Sequence, residues 1–237
     1  MGRVVKAHGV RRDELLEAAR HLVMTKGYAQ MTVQDVLVHC GIAKGTFYHY
    51  FDTKQALLEA MLEQRLGEEM VLLAAPILTA PHEPALAKLG RFFLAVAYWK
   101  RAQQDFFISL VPILLSDDNV HVVHRARLVM HARLRPLLVR LLEQGRAEGL
   151  GLDFEPGDSA DLLFSLFETP QRALAELLRH ERDPALIEAA LVRTLAACSR
   201  AVERLLGAPP GSLPVAGSLR LDDTAVALVE RLNGENP

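Results

Sequence analysis

Apolar residues along most of this chain recur every three or four positions, the spacing of amphipathic helices, and strand-like alternation is scarce. Leu15, Leu16, Ala19, Leu22 and Val23 share one face of a helix expected from Arg11 to Gly27, preceded by a flexible arm over residues 1–10. Thr32 is placed to cap a second helix, with Asp35 completing a capping box and Val33, Val36 and Leu37 facing inward. Cys40-Gly41 marks a turn. A short third helix follows from Ala43 to His49. Asp52-Thr53 ends it, and Thr53 can cap a fourth helix carrying Leu57, Leu58, Met61 and Leu62.

Beyond this head, Pro76, Pro81 and Pro84 read as one loop. Helical patterns then cover about 85–101, 104–116 and 118–148, with Gly149 and Gly151 as the stop. Two more cover about 158–180, with Pro170 inside, and 184–206. Residues 207–218 read as a linker and Asp222 to Leu232 as a last short helix. The expected architecture is all-α: a head over residues 1–55, a helical body over 56–206, and a tail over 207–237.

Charge sharpens the picture of the head. Residues 1–55 hold eight Lys/Arg against five Asp/Glu, a net +3, so the −2 of the whole 237-residue chain leaves −5 for the rest. A basic end on an acidic body suits a head that meets phosphates. The two cysteines, Cys40 and Cys198, lack metal spacing and form no disulfide framework, which fits a reducing compartment. No apolar run approaches the ~18 residues of a membrane span, and the N-terminus lacks the apolar core of a signal peptide. The expected location is the cytoplasm.

Two short helices, a tight turn and an apolar lock are the requirements of a helix-turn-helix. Here Val33, Val36 and Leu37 oppose Ile42, Phe47 and Phe51 across Cys40-Gly41. The outer side of the third helix then carries Lys44, Gly45, Thr46, Tyr48 and His49, donors and small groups suited to phosphates and base edges.

The stretch TVQDVLVHCGIAKGTFYHYFDTKQALLEA, Thr32 to Ala60, resembles the DNA-binding domain of TetR-family transcription regulators. With the preceding helix the likeness covers about 50 residues, and Gly41, Gly45-Thr46, Phe47-Tyr48, Tyr50-Phe51 and Lys54 keep the family's spacing. Two positions depart from the commonest pattern. Ala43 stands where Ser or Thr often caps the recognition helix, and Val33 where some members carry a second Thr. The resemblance implies that Lys44, Gly45 and Thr46 lie near bases, joined by Gln34 on the second helix. Tyr48, His49, Lys54 and Thr32 are implied at backbone phosphates. It also implies a homodimer on a palindromic duplex operator, and a body that binds a small-molecule effector, with no cofactor.

In the body, small residues Ala189, Ala190, Ala196, Ala197 and Ala201, with Leu191, Leu195, Cys198, Val202 and Leu205, suit a helix–helix dimer contact on the last two long helices. Of these, Ala190, Ala197, Ala201 and Leu205 are the candidate interface residues. Phe93, Trp99, Phe107, Phe164 and Phe167 are candidate walls of a ligand site. His121, His124 and His131 fall on one helix face; without a local acidic or thiol partner they read as a surface stripe or polar pocket contacts rather than a metal site, with His124 and His131 the candidates to touch a ligand. No Ser-His-Asp set, phosphate-cradling glycine loop or HExxH pattern appears, which counts against an enzyme. Asp117-Asp118 reads as a loop or cap.

Overall fold

A computed structural model describes residues 8–213 together with 226, 229 and 230. Among the described residues every regular element is helical. In chain order these are α1 (His8–Lys26), α2 (Val33–Cys40), α3 (Lys44–Tyr48), α4 (Lys54–Leu62), a π-helical segment (Glu63–Glu68), α5 (Glu69–Leu78), α6 (Ala85–Ala102), α7 (Gln104–Ser109), α8 (Val111–Leu115), a 3-10 turn (Asp117–Asn119), α9 (Val120–Ala147), α10 (Pro156–His180) and α11 (Pro184–Leu205).

Several boundaries differ from the sequence expectation, each for a local reason. Helix α1 begins at His8, so part of the expected arm is helical; the Arg11–Glu14 pair at 2.5 Å braces its first turn. Pro76 is not in a loop but inside α5. It shares the solvent side with Leu72, so water can serve the carbonyl that proline leaves without an N–H partner. The single helix expected over 104–116 is two, α7 and α8, with Pro112 in the first turn of the second.

The tail is another correction. Residues 207–213 are packed rather than free: Leu213 is buried, its N–H donates to Glu203 Oε1 at 3.0 Å, and its carbonyl accepts from Ser199 Oγ at 2.9 Å. The remainder of the expected linker lies outside the described residues. Of the expected last helix, Val226, Val229 and Glu230 are described and helical, and Val229 is buried against Ile187 and Leu191.

Head and body share a helix and an apolar cluster across residue 55. The helix from Lys54 runs through the π segment to Leu78, crossing the expected boundary. One apolar cluster joins Leu15, Val23, Val36, Phe47 and Leu57 of the head to Phe106, Ile113 and Val122 of the body. A second core fills the space between α5, α6, α9, α10 and α11. At the neck, Gly67 allows close approach of α9, since a Cβ there would lie 3.3 Å from Val129 Cγ1. Polar pairs line the same seam: Gln55 bonds His121, and Arg125 meets Glu59 at 3.5 Å and Glu63 at 3.1 Å.

Candidate nucleic-acid interface

The geometry of α2 is set at its first turn. Thr32 Oγ1 accepts from Asp35 N at 3.1 Å, while Asp35 Oδ2 accepts from Thr32 N and Thr32 Oγ1, each at 2.7 Å. Lys26 Nζ, at the end of α1, donates to the same oxygen at 2.7 Å. These hydrogen bonds, Lys26 first and then Thr32, hold the Asp35 carboxyl at about 2, below its usual 3.8. The capping box was legible in the sequence. Lys26 was not, because a nine-residue separation across a loop carries no periodic signal.

At the other end of α2, Gly41 takes φ 61°, the left-handed conformation that suits glycine, and Ile42 N returns to Leu37 O at 3.1 Å. This turn delivers α3. Phe47 is fully buried and packs 6.1 Å from Phe51, fixing the rotation of α3 about its axis. Lys44, Gly45, Tyr48 and His49 are consequently exposed, Thr46 is half-buried, and Thr32 and Gln34 are exposed on α2. The Lys44 ammonium stands 5.8 Å from the Tyr48 ring centre.

Three details bear on how this surface meets DNA. Ala43 occupies the N-cap of α3 with no side-chain hydrogen bond, so N–H groups at that helix start remain without a side-chain acceptor. A Cβ on Gly45 would meet nothing within 4 Å, and its φ is not in the positive range, so neither packing nor backbone geometry within the chain calls for glycine there. Lys54 is turned inward. Its Nζ donates to the carbonyls of Tyr28 and Met31, both at 3.0 Å, and lies 4.4 Å from the Tyr28 ring centre. Burial lowers its pKa from the usual lysine value. One N–H is left for a phosphate, and the main structural work of Lys54 is to tie α4 to the loop after α1.

The residues expected around a ligand separate into groups. Phe93 and Phe167 stand 4.7 Å apart between α6 and α10, and His131 meets Phe164 edge-on at 4.6 Å. His131 Nε2 also lies 2.9 Å from Asp161 Oδ1, which Arg135 Nε reaches at 2.8 Å. Trp99 and Phe107 form a separate pair, centroids 5.2 Å apart. His124 is exposed, and His121 faces Gln55 at the neck, so the three histidines do not converge. Among the described residues no three His, Cys, Asp or Glu side chains could hold a metal ion.

On α11, Ala197 is exposed and Ala190, Ala201 and Leu205 are half-buried. Ala201 and Leu205 border an open groove of about 570 Å³ between α10 and α11, with Phe154, Leu162 and Leu166 on its other side. Among the described residues no helix is long and apolar enough to cross a membrane.

Residues 15–61 match the profile described as "Bacterial regulatory proteins, tetR family". The chain is 38% identical over 158 residues to the HTH-type transcriptional repressor KstR2 of Mycolicibacterium smegmatis, an alignment covering 65% of this chain and 72% of that protein. The chain belongs to the TetR family. It is a DNA-binding transcriptional regulator and not an enzyme. Some likenesses stop at the head: against the YerO regulator of Bacillus subtilis the identity is 35% over 60 residues, and the chain spans 21% of that protein's length. Solved structures share the fold. A TetR-family regulator from Pectobacterium atrosepticum superposes with a TM-score of 0.61 at 21% identity, covering 86% of this chain and all of that one. The Thermus thermophilus repressor FadR, in complex with lauroyl-CoA, gives 0.52 at 21% identity, covering 79% and 93%.

Proposed function

We propose that this protein is a homodimeric transcriptional repressor that leaves its operator when a small, mostly apolar molecule binds the body. The observation that carries the DNA-binding half is the outer face of α3. There Lys44, Tyr48 and His49 surround a glycine whose missing side chain serves nothing inside the chain. A DNA backbone or base edge is the kind of surface that would use that space. Two such helices related by a twofold would enter successive major grooves about 34–36 Å apart on a roughly palindromic site.

The release half is supported by continuity between head and body. Helix α4 is continuous with α5, and the head core includes Phe106 and Val122 of the body. A ligand that favours one packing of the body therefore acts on the head through side chains in contact. FadR of Thermus thermophilus, of the same fold, is a repressor solved with lauroyl-CoA bound. For this chain the effect of a ligand is bounded by its difference in affinity for the two states. Moving the dimer from ~99% to ~1% binding-competent needs about 5.5 kcal/mol, and operator must weaken ligand binding by the same factor.

Selection of sites from a random duplex library, followed by titration at several salt concentrations, tests the DNA half. A palindromic site with steeply salt-dependent affinity is expected. Recovery of no preferred sequence would remove it. Release of labelled operator in a screen of hydrophobic compounds tests the other half.

A further inference from the structure

Lys100 stands where the helix pattern calls for an apolar residue. At about 100° per residue it lies within about 20° of both Leu89 and Phe93 on α6, and about 40° from Val96. Those three form the inward face of the helix: Leu89 and Phe93 are buried and Val96 packs against the same core. Lys88, the other lysine of α6, is also buried, but it donates to Gln144 Oε1 at 2.7 Å. Lys100 has no such partner among the described residues. Burial alone pushes its ammonium down to about 8, which still leaves it charged at neutral pH.

A half-buried ammonium without an ion pair, set on the core side of its helix, gains from an anion that completes it. The packing around Lys100 is looser than along the first half of the helix. In the first half of α6 the inward positions Leu89, Phe92 and Phe93 are sealed. In the second half Val96, Trp99 and Lys100 are all only half-buried, and so is Phe107 against Trp99. Phe93 lies seven residues back on the same face, about 10 Å along the axis, and touches Phe167 of α10. A run of apolar side chains along α6 therefore ends at a cation. Helix α7, which carries Phe107, also packs against α1 of the head.

We propose that Lys100 binds the anionic end of an elongated amphipathic carboxylate whose apolar body lies along the inner face of α6 toward Phe93 and Phe167. This rests on the reading that the body takes a mostly apolar ligand, and names its chemical class. The ammonium supplies a charge-assisted hydrogen bond in a partly dry setting, where it is strongest. Closing the site next to Phe107 places the ligand's charged end beside the α7–α1 contact.

The test uses the full-length protein, the neutral dye Nile red, and three ten-carbon probes: decanoate, decan-1-ol and decyltrimethylammonium. Wild type is expected to bind Nile red and to release it to decanoate about tenfold or more tighter than to decanol, with the ammonium probe weakest. Lys100→Met should fold, melt at or above the wild-type temperature, keep decanol binding and lose the preference for decanoate. Lys100→Arg should retain it. If wild type binds decanol as tightly as decanoate, or Lys100→Met keeps the preference, the Lys100 assignment is overturned while the apolar site stands. If neither dye nor any probe binds, both fall.

Discussion

Lys26 and Asp35 join the two ends of the α1–α2 loop through a single carboxylate oxygen, Nζ to Oδ2 at 2.7 Å, with the backbone N–H and hydroxyl of Thr32 on the same atom. The charge of Asp35 therefore holds both the helix cap and the angle between the first two helices. A carboxyl at about 2 in the folded head and near 3.8 unfolded contributes stability that is complete above pH ~4 and fades as pH falls through 2. Asp35→Asn should lower the melting temperature at pH 7. The difference from wild type should shrink as the pH approaches 2. Parallel melting curves with a gap independent of pH would show that the charge is idle.

Lys54 leads to a different expectation from the one its position in the helix-turn-helix suggests. Its ammonium serves the carbonyls of Tyr28 and Met31, so Lys54→Met strands two acceptors in a half-buried site. Each group left without a partner costs about 1–3 kcal/mol where water cannot reach it, and less here. Chemical denaturation should show a loss of about 1–2 kcal/mol. Operator affinity should drop for all sequences alike, with a salt slope reduced by no more than about one ion. Unchanged stability with a reduced slope would make Lys54 a phosphate ligand first.

The helical head was legible in the sequence because its signals are local. Thr32 and Asp35 sit three residues apart, Gly41 follows the last residue of α2, and Phe47 and Phe51 are one turn apart. The inward turn of Lys54 was not legible, since it depends on carbonyls 23 and 26 residues earlier. Pro76 misled because a proline on the solvent side of a helix leaves only a water-accessible carbonyl unserved. The three histidines do share one face in projection, yet on a 28-residue helix they span neck, solvent and body, so a common face did not mean a common site. Lys100 is legible in the same projection, as a charge on the face that carries Leu89, Phe93 and Val96.

Ala43 leaves α3 without a side-chain cap. Ala43→Ser should supply an oxygen to the N–H of the second or third residue and stabilise the head by about 0.5–1 kcal/mol. Denaturant midpoints measure this directly. No gain would mean that the start of the five-residue helix is already held by the fold around it.

Gly45 separates folding from binding. Alanine there meets open space and has the better helix propensity, so Gly45→Ala should leave the free protein as stable or more so, by up to about 1 kcal/mol. The added methyl points outward from α3, where DNA would approach. Operator affinity should fall tenfold or more while Lys44 and Thr46 remain in place. A variant that is more stable and binds operator normally would show that α3 does not come close to the duplex at this residue.

The dimer prediction rests on what α10 and α11 leave uncovered. Leu162, Leu186 and Val192 are more than a third exposed, Phe154 is half exposed, and Ala197 opens onto solvent. Phe154 and Leu162 line the α10–α11 groove, and Leu186, Val192 and Ala197 add exposed apolar surface elsewhere along α11, whereas Ile187, Leu191 and Val202 of α11 are already buried within the chain. An apolar patch of this kind on two adjacent helices fits a self-complementary twofold contact. Ala197→Glu would place a carboxylate against its own symmetry mate or against apolar surface, and either arrangement is strongly unfavourable. Because Ala197 is exposed in the single chain, the variant should fold with a near-normal helical spectrum. It should be monomeric by light scattering at concentrations where wild type is a dimer. Operator affinity should fall with it, since a single head reads only one half-site. Leu186→Glu serves as the companion, because it sits near the start of α11, away from the groove. If both variants remain dimers with intact operator binding, the two chains meet through some other face.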